Sequence, residues 1–387
     1  MKHTAEDLAA LAVLPALAAA MVILSSPALA ATIAVSPGES IQAAIGQAET
    51  GDTIFVESGF YRESLNISKA INLLGSSKPV LDGGAMSCAV LLSAGGASIS
   101  GFEIRTTRHT GIFVASDGNL IENNTISDCL DGIRLDHSRS NNVSRNDVNN
   151  NTNGITLYSS SGNRIERNLV RDNYINEEGD CGIFLAYCQG NIIENNIMSN
   201  NGDTSLSLRS SGKNTLRKNL ITNNDWYGIC LSDSSSGNVI EGNQVLQNGD
   251  SGIYLDSSQE NTIRENLALD NSRGIYLAYD SNDNLLQDNN VTLNEKGLHL
   301  ATHSSNNTVQ NNTAIKNGFG IYLSFSSGWN LLFSNHLIDN GINAYDLGQK
   351  NRWDNGTLGN YYSDLGKIFY VPGGPGVDRH PMAEPLP

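Results

Sequence analysis

The sequence predicts an all-β protein built as a parallel β-helix, in which short strands stack coil upon coil. One observation is a tetrad with a leading glycine and alternating apolar residues, such as Gly-Ile-Tyr-Leu at 274–277. It recurs every 21 to 24 residues, with a single interval of 28 that predicts an inserted loop around 175–180. A set of asparagines recurs with it. Short apolar segments between polar corners at a fixed period of this length indicate a solenoid.

Each tetrad is predicted to form one strand of one coil. Side chains alternate along a strand, so Ile275 and Leu277 point inward and Tyr276 points outward. The tetrads begin at Gly111, Gly132, Gly154, Gly182, Ser205, Gly228, Gly252, Gly274, Gly297, Gly320 and Gly341. Two further inward columns are predicted through Ile263, Leu286 and Val309, and through Val245, Val291 and Leu337. Three strands per coil give about eleven to thirteen coils of roughly 22–23 residues, stacked about 4.8 Å apart.

The asparagines fall in triplets at the predicted corners of consecutive coils. Four such triplets are Asn238, Asn243 and Asn248; Asn261, Asn266 and Asn271; Asn284, Asn289 and Asn294; and Asn307, Asn312 and Asn317. Asparagine tolerates a left-handed backbone, and stacked side-chain amides can hydrogen-bond along a column. We therefore assign these asparagines a structural role rather than a catalytic one.

The region at 31–110 is predicted to form an N-terminal cap and the first coils. Within it, residues 36–48 predict a short capping helix. Pro37 suits the first helical position, and Ser36 with Glu39 forms a capping box. The cap covers the open end that a stack of coils would otherwise expose.

The repeats occupy 111–350, and residues 351–387 form a C-terminal cap or tail. This last region breaks the period and brings Trp353, Tyr361 and Tyr362, whose large side chains are suited to closing the last coil.

Residues 1–30 resemble a secretory signal peptide. An apolar run from Leu8 to Leu24 precedes small residues at 28–30 that suit a cleavage site. Acidic residues such as Glu6 and Asp7 are unusual in a signal peptide. The alternative interpretation is that residues 1–30 form an uncleaved membrane anchor. No other apolar run approaches the roughly 20 residues that span a bilayer. We expect export to the periplasm, the cell surface or the medium, with no transmembrane segment in the mature chain.

The composition excludes some partners. The chain has 24 Lys and Arg against 40 Asp and Glu, a formal net charge of −16. Nucleic acid and anionic membranes require a basic face, so neither is expected as a partner. The 5 cysteines are too few and too scattered for a disulfide scaffold, and we expect them to be buried and inert.

The repeat resembles the NosD-type β-helix proteins, also called the carbohydrate-binding and sugar-hydrolase (CASH) domain. The likeness rests on the pattern N-x4-N-x4-N-x(2–4)-G-[IL]-x-L over 111–341, and on the flanking stretches GDTIFVESGFYRESL and NGTLGNYYSDL. The resemblance implies a right-handed β-helix. It also implies three classes of function, because the family includes sugar-active enzymes, copper-accessory proteins and binding modules.

The outward column of the tetrads ends in four ring-bearing side chains, Tyr254, Tyr276, His299 and Tyr322. Planar rings repeated at coil spacing could pack against the apolar faces of sugars. Rings that merely protect the sheet would give the same pattern. We take this column, called the aromatic strip below, as the predicted binding surface for a carbohydrate or cell-surface glycan.

Three aspartates are predicted beside the aromatic strip on consecutive coils, namely Asp233, Asp256 and Asp280. Two carboxylates about 5–6 Å apart suit retaining glycoside hydrolysis, so Asp233 and Asp256 are the candidate catalytic pair. The three could instead bind calcium, which takes several oxygen ligands, or serve the turns in which aspartate is common. No other cofactor is expected.

Arg134, Asp136 and His137 form a second cluster on an early coil. Arg134 and His137 are candidate substrate-binding residues, since an arginine or histidine facing a uronic acid could act in a lyase or epimerase. Adjacent residues point to opposite faces of an extended strand, so Asp136 and His137 need not converge.

A copper site finds little support in the sequence. His299 and His303 would lie about 13 Å apart on an extended strand, too far to share an ion. By contrast, N-x-[ST] sequons that predict N-glycosylation begin at Asn66, Asn123, Asn142, Asn150, Asn290, Asn306, Asn311 and Asn355.

The predicted function is therefore carbohydrate or polysaccharide binding on an outer sheet face, rather than catalysis. The alternatives are a polysaccharide-active enzyme, as a glycoside hydrolase, lyase or epimerase, and a copper-accessory periplasmic protein of the NosD type.

Overall fold

The computed structural model describes residues 30–174, 180–364 and 369–384. Over these residues the chain forms a right-handed parallel β-helix of about fourteen turns. The predicted fold class is thereby confirmed. The turns outnumber the predicted eleven to thirteen because the region before residue 111 already forms regular coils. Residues 1–29 of the predicted leader and 175–179 of the predicted insertion lie outside the described residues.

Three parallel sheets run along the stack, and each coil from Thr53 to Ile338 contributes one strand to each. The strands of sheet 1 are Thr32–Val35, Thr53–Val56, Asn72–Gly75, Ser98–Ser100, Leu120–Glu122, Asn142–Ser144, Arg164–Glu166, Ile192–Glu194, Thr215–Arg217, Val239–Glu241, Thr262–Arg264, Leu285–Gln287, Thr308–Gln310 and Leu331–Phe333.

Sheet 2 follows sheet 1 within each coil after one corner. Its strands are Phe60–Tyr61, Val80–Asp82, Glu103–Arg105, Thr125–Ser127, Asp147–Asn149, Leu169–Arg171, Ile197–Ser199, Leu220–Thr222, Gln244–Leu246, Leu267–Leu269, Asn290–Thr292, Thr313–Ile315, His336–Ile338 and Tyr361–Tyr362.

The third sheet, called the long-strand sheet, contains the tetrads and has strands of up to 6 residues. Its strands are Leu65–Ile67, Cys88–Leu92, Thr110–Val114, Asp131–Asp136, Asn153–Tyr158, Cys181–Ala186, Thr204–Arg209, Tyr227–Ser232, Ser251–Asp256, Arg273–Ala278, Lys296–Leu300, Phe319–Leu323 and Ile342–Asp346. A separate antiparallel pair joins Phe369–Tyr370 to Val377–Asp378.

The core is the space enclosed by the three sheets, and it is filled by the predicted inward columns. Ile263 pairs in register with Leu286, and Leu286 pairs with Val309. All three side chains are fully buried. The strands are too short to be stable alone, so their stability comes from burying these columns between neighbouring coils.

Close contact between coils favours glycine at the start of the tetrads. At Gly274 a Cβ would lie 2.6 Å from the carbonyl oxygen of Gly297 and 3.0 Å from the amide nitrogen of Asn294. A side chain here has little space between the backbone of one coil and the asparagine of the next, and Ser205, which replaces the glycine in one tetrad, is fully buried. The recurrence of glycine at this position therefore follows from packing.

The asparagines form buried ladders along three corners. Within one ladder, both the backbone N–H and the side-chain amide of Asn266 donate to Oδ1 of Asn289, at 3.1 and 3.0 Å. The same side-chain amide also donates to the carbonyl of Ile240 at 2.9 Å. The left-handed conformation, however, belongs to the residue before the ladder, such as Glu265 with φ of 57°. The ladder asparagine is placed instead by its hydrogen bonds.

The N-terminal helix is shorter than predicted and spans Ile41–Gln47. Ser40 is its N-cap, and its side chain accepts a hydrogen bond from the N–H of Ala43 at 3.1 Å. Glu39 does bond the N–H of Ser36 at 2.7 Å, but this contact closes a turn before the helix. Gly38, with φ of 95°, separates that turn from the helix.

Large buried side chains lie at the C-terminal end of the stack. Trp353 and Tyr362 are buried, and Trp353 Nε1 donates to Asp346 Oδ2 at 2.9 Å. Tyr362 stacks on Phe369 with a centroid separation of 4.0 Å. These side chains cover the last coil with apolar surface.

The 5 cysteines are buried thiols, in agreement with the expectation from the sequence. Burial raises the pKa of Cys129 to about 12 and that of Cys188 to about 11, so neither is a reactive thiolate near neutral pH. Within the described ranges, no helix is long and apolar enough to cross a membrane.

Candidate functional site

The four residues of the aromatic strip do share one column on the outside of the long-strand sheet. Tyr254 pairs in register with Tyr276, Tyr276 with His299, and His299 with Tyr322. The column continues to Tyr345 on the following coil. The alternation along each strand places all these rings outside the helix while their neighbours fill the core.

Three rings of the aromatic strip stack on one another, and Tyr322 meets the ring of His299 edge-on. The centroids of Tyr254 and Tyr276 lie 5.2 Å apart, and those of Tyr276 and His299 lie 4.5 Å apart. Tyr227 joins the stack 4.7 Å from Tyr254. Neighbouring rings cover the faces of Tyr254 and Tyr276, and Tyr254 is only 8% exposed. A sugar would therefore meet the ring edges and hydroxyl groups of the half-buried Tyr276 and Tyr322 rather than the ring faces that the sequence suggested.

His299 is a buried, neutral member of the aromatic strip. Its side chain is 5 % exposed, and its Nε2 lies 2.7 Å from Ser324 Oγ. Burial, with smaller contributions from Lys296 and Arg273, lowers its pKa to about 3. The imidazole therefore contributes no positive charge near neutral pH.

Two cationic side chains lie against the aromatic strip. The guanidinium of Arg273 lies 4.8 Å from the ring centroid of Tyr276, and the ammonium of Lys296 lies 4.9 Å from that of Tyr322. Arg273 and Lys296 pair in register on adjacent coils. Arg273 also forms an ion pair with Asp250. The strip therefore combines ring edges, hydroxyl groups and positive charge on a chain that is strongly acidic overall.

The three predicted aspartates do not form one column. Asp256 pairs in register with Ala278, so the aspartate on the next coil, Asp280, lies two positions further along the chain. Asp233 is exposed at a corner, where Arg209 Nε donates to its Oδ2 at 2.7 Å. Asp256 accepts hydrogen bonds from Ser257 Oγ at 2.7 Å and from Tyr254 Oη at 3.4 Å. Each carboxylate thus has a different environment.

No cluster with three or more His, Cys, Asp or Glu side chains is placed to hold a metal ion in the described part of the chain. Calcium binding by Asp233, Asp256 and Asp280 stays a prediction of the sequence.

The second predicted cluster converges on the same outer face. Arg134 Nη2 donates to Asp136 Oδ2 at 2.8 Å, and Asp136 Oδ1 lies 2.5 Å from His137 Nδ1. The alternation argument for adjacent residues does not hold here. His137 adopts a left-handed conformation with φ of 50° at the end of its strand, and this turns its side chain back toward Asp136.

Arg134 is held between aromatic rings and two carboxylates. Its guanidinium lies 4.5 Å from the ring centroid of Tyr158 and 5.8 Å from that of Phe113. A second ion pair joins it to Asp131 at 3.6 Å. The side chain of His137, in contrast, is 79% exposed. The guanidinium of Arg134 and the carboxylate of Asp136 are thus held in place next to the exposed imidazole of His137.

Burial controls the protonation of the two carboxylates in this cluster. It raises the pKa of Asp131, although Arg134 opposes the shift. Burial acts on Asp136 in the same direction, but hydrogen bonds from Arg134 and His137 outweigh it and hold the pKa of Asp136 below its usual range. Asp136 therefore stays ionised and can orient His137.

The two sites lie on one face but far apart. Arg134 and Tyr276 belong to the same outward column and are separated by six strand steps. At about 4.8 Å per coil the separation is roughly 29 Å. An extended polymer could contact both, whereas a small ligand could not.

Sequence reasoning missed a group of exposed aromatic side chains at the corner between the long-strand sheet and sheet 1. These are Tyr187, Tyr279, Phe325 and Trp329, with exposed fractions from 51% to 74%. One signal in the sequence could have identified Trp329 as a member of this group. It stands directly before a ladder asparagine, where other coils have glycine or a polar residue.

Three solved structures share the fold. The Dettilon tailspike protein gp208 has a TM-score of 0.60 and 16% identity, over 76% of this chain and 61% of the tailspike chain. The chain thus spans less than two thirds of the tailspike's length. The AlgE4 A-module of Azotobacter vinelandii mannuronan C-5 epimerase has a TM-score of 0.59 and 16% identity, over 83% of this chain and 97% of the module.

The AlgE6 A-module from the same organism has a TM-score of 0.54 and 15% identity, over 80% of this chain and 92% of the module. At such identities these similarities show the fold alone. None of the curated proteins compared with the sequence matches it. The family described as the right handed beta helix region matches residues 70–179, 169–314 and 275–358. The chain therefore belongs to the right-handed β-helix family.

Proposed function

We propose that the protein binds a polysaccharide along the outer face of its long-strand sheet. The observation that carries this proposal is the aromatic strip with Arg273 and Lys296 packed against its rings. Guanidinium and ammonium groups beside tyrosine hydroxyls offer hydrogen-bond donors to the hydroxyl and carboxylate groups of a sugar chain.

The fold relatives support a polymeric ligand. The two modules from Azotobacter vinelandii are named as mannuronan C-5 epimerases, so their substrate is a polysaccharide. A long flat sheet with a repeat of about 4.8 Å presents equivalent positions to successive units of such a chain. We propose that the present protein likewise takes a polysaccharide as its ligand and binds it.

Export and surface exposure belong to the same proposal. The leader at 1–30 would deliver the protein to the periplasm, the cell surface or the medium. Asn123, Asn150, Asn306 and Asn311 begin sequons and are exposed at corners, which suits N-glycosylation. We also propose that the protein belongs to the NosD-type group, and the support for this is the asparagine and glycine repeat over 111–341.

The test is a panel of neutral and acidic polysaccharides incubated with the protein lacking residues 1–30, with and without calcium. Binding and the release of new sugar ends are measured on the same samples. We expect binding without release, weakened at least tenfold in Tyr276→Ala. The matched control is Tyr370→Ala, which removes a tyrosine that is 74% exposed on the C-terminal hairpin. Equal loss in both variants, or no binding to any polysaccharide, would contradict the proposal.

A second candidate function is a lyase or epimerase acting on a uronate polymer. The specific observation in its favour is that Arg134, Asp136 and His137 converge, with His137 exposed. In this candidate Arg134 neutralises the substrate carboxylate. Asp136 orients the imidazole of His137, which removes the proton next to that carboxylate. In a lyase the electron pair left on carbon expels the neighbouring glycosidic oxygen, and in an epimerase it takes a proton from water on the opposite face. The pair Asp233 and Asp256 carries less weight, because Asp233 is paired with Arg209 at a corner.

The enzymatic candidate is tested by incubating polyuronates with the protein and following unsaturated products by absorbance and inverted residues by NMR. Turnover that disappears in His137→Gln, while binding persists, would establish this candidate. Unchanged polymer after prolonged incubation would leave binding as the function.

A further inference from the structure

An aromatic depression lies at the corner after the twelfth strand of the long-strand sheet, a few residues beyond Tyr322 of the aromatic strip. Phe325 and Trp329 are 74% and 62% exposed and flank it. The depression has a volume of about 330 Å³, and its other lining residues include Ser305, Gln349 and Lys350. Two large exposed aromatic side chains within five residues leave considerable apolar surface in contact with water.

The backbone position of Trp329 is unusual for a bulky residue. Trp329 has φ of 59°, a left-handed conformation that large side chains disfavour. The equivalent position before the ladder asparagine has positive φ in each of the other coils and is occupied by Gly118, Ser140, Gly162, Gly190, Lys213, Gly237, Glu260, Asp283, Asn306 and Lys350. The backbone conformation is therefore the regular one of this corner, and what departs from the repeat is a bulky, exposed indole at a position that elsewhere carries glycine or a polar side chain. A large exposed aromatic side chain of this kind is a candidate for ligand binding.

The depression has a fixed floor. The N–H of Trp329 donates to the carbonyl of Gln349 at 3.2 Å, and the N–H of Gly328 donates to Ser305 Oγ at 3.3 Å. The following asparagine, Asn330, continues its ladder to Asn351 at 3.0 Å. The backbone that carries Trp329 is therefore held from the coils on both sides, as a preformed binding site requires.

The chemistry of the lining indicates the ligand. The ammonium of Lys350 lies 4.3 Å from the ring centroid of Trp329 and covers one face of the indole. The opposite face and the ring of Phe325 can contact the C–H surface of a pyranose ring. Ser305 and Gln349 provide hydrogen-bonding groups, and Lys350 provides a positive charge for a carboxylate. The volume is at the lower end of the roughly 300–1,000 Å³ of ligand pockets, which suits one or two sugar rings.

We infer that this corner depression is a second saccharide site that binds an acidic pyranose unit, such as a uronate residue. The inference rests on the proposed function for the class of ligand, but it concerns different residues from the aromatic strip. Together the two sites would hold a chain of uronates at both the sheet face and the corner.

The experiment uses an oligouronate series from disaccharide to hexasaccharide and monitors tryptophan fluorescence and calorimetric binding. The variant is Trp329→Gly, since glycine occupies this position in four other coils and removes the unfavourable side chain. It should fold at least as stably as the parent protein, yet bind the disaccharide about tenfold more weakly or worse. Lys350→Gln should weaken uronate binding while leaving a neutral disaccharide unaffected. The control is Tyr187→Ser at another exposed corner, which should change neither.

Different outcomes separate this inference from the proposed function. Oligouronate binding that is unchanged in Trp329→Gly but lost in Arg273→Gln would overturn the corner site alone. Binding lost in Trp329→Gly but unchanged in Arg273→Gln would support the corner site and count against the sheet face. A concentration-dependent dimer that Trp329→Gly abolishes would overturn the saccharide assignment, because a second copy of the chain would then occupy the depression.

Discussion

At the residue scale, the asparagine ladders carry a large part of the specificity of the fold. Oδ1 of Asn266 accepts two hydrogen bonds from Asn243 at 3.0 Å, and Asn266 donates two hydrogen bonds to Asn289. All of these groups are buried at a corner of the coil. Buried polar groups that are fully paired define one register, whereas a slipped coil would leave them unpaired. The ladders therefore align the coils as well as closing the corners.

This role predicts a strong effect of replacing one ladder residue. Asn266→Ala removes the acceptor shared by the backbone N–H and the side-chain amide of Asn243, and it removes one donor to the carbonyl of Ile240. At about 1–3 kcal/mol for each unsatisfied buried group, we expect a loss of about 3 kcal/mol or more in the free energy of unfolding. Chemical denaturation of this variant and of Asn290→Ala, an exposed asparagine on a strand of sheet 2, provides the measurement. Comparable stability in the two variants would contradict the ladder account.

The buried imidazole of His299 predicts a pH-dependent stability. Its pKa is lowered from 6.5 to about 3 in the folded protein, so between these values the unfolded state binds a proton that the folded state does not. His299 therefore stabilises the fold above about pH 6.5, and this contribution falls as the pH decreases toward 3, by up to about 1.4 kcal/mol per pH unit. Denaturation across this range should show a steeper loss for the parent protein than for His299→Phe. Parallel profiles would show that His299 does not titrate as described.

The sequence predicted the residues of both sites but not their local geometry. Register along the repeat placed Tyr254, Tyr276 and His299 in one column, because every coil has the same strand positions. It did not predict that their rings would cover one another's faces, since side-chain rotation is set by the neighbours in three dimensions. Likewise, the convergence of Asp136 and His137 depends on a left-handed residue that the alternation of a strand does not anticipate.

At the scale of the strand and coil, the tetrad glycine is the residue that sets the distance between coils. A Cβ at Gly274 would meet the carbonyl of Gly297, a backbone atom that cannot move without separating the two strands. The glycine is thus needed for space, since its own φ is not in the left-handed region.

We accordingly expect Gly274→Ala to destabilise the protein by about 1–3 kcal/mol, the usual range for an overpacked core. Gly46→Ala is the matched control, because a Cβ there meets nothing within 4 Å and alanine is favoured in the helix Ile41–Gln47. Thermal unfolding of the two variants should shift in opposite directions. A neutral Gly274→Ala would mean that the coils are less closely packed than the structure has them.

The boundaries of elements were predicted less well where the repeat is absent. The N-terminal helix begins at Ile41 rather than near residue 36, because Gly38 and the N-cap Ser40 delay it. Glu63 then contributes to its start, since its carboxylate accepts hydrogen bonds from the N–H groups of Ile41 and Gln42 at 3.0 and 3.1 Å. A residue that is distant in sequence cannot be assigned to a cap from local pattern alone.

At the scale of the whole molecule, the repeat determines almost everything that the sequence could predict. The sheets, inward columns, ladders and closed C-terminal end follow from a period near 22 and from the position of Trp353 and Tyr362. The function is harder to predict from the sequence, because solenoid proteins of the same fold have many different ligands. The distinguishing features are a few side chains, such as Arg273 and Trp329, that depart from the repeat.

The most direct test of polysaccharide binding on the long-strand sheet compares two arginines in similar surroundings. Arg273 lies over Tyr276 and pairs with Asp250, whereas Arg105 on sheet 2 lies over Phe60 and pairs with Asp82. Calorimetric titration of a long polyuronate into the parent protein, Arg273→Gln and Arg105→Gln measures affinity on the two faces. We predict that Arg273→Gln binds at least tenfold more weakly and that Arg105→Gln binds like the parent. Equal affinities in all three proteins would contradict binding on the long-strand sheet.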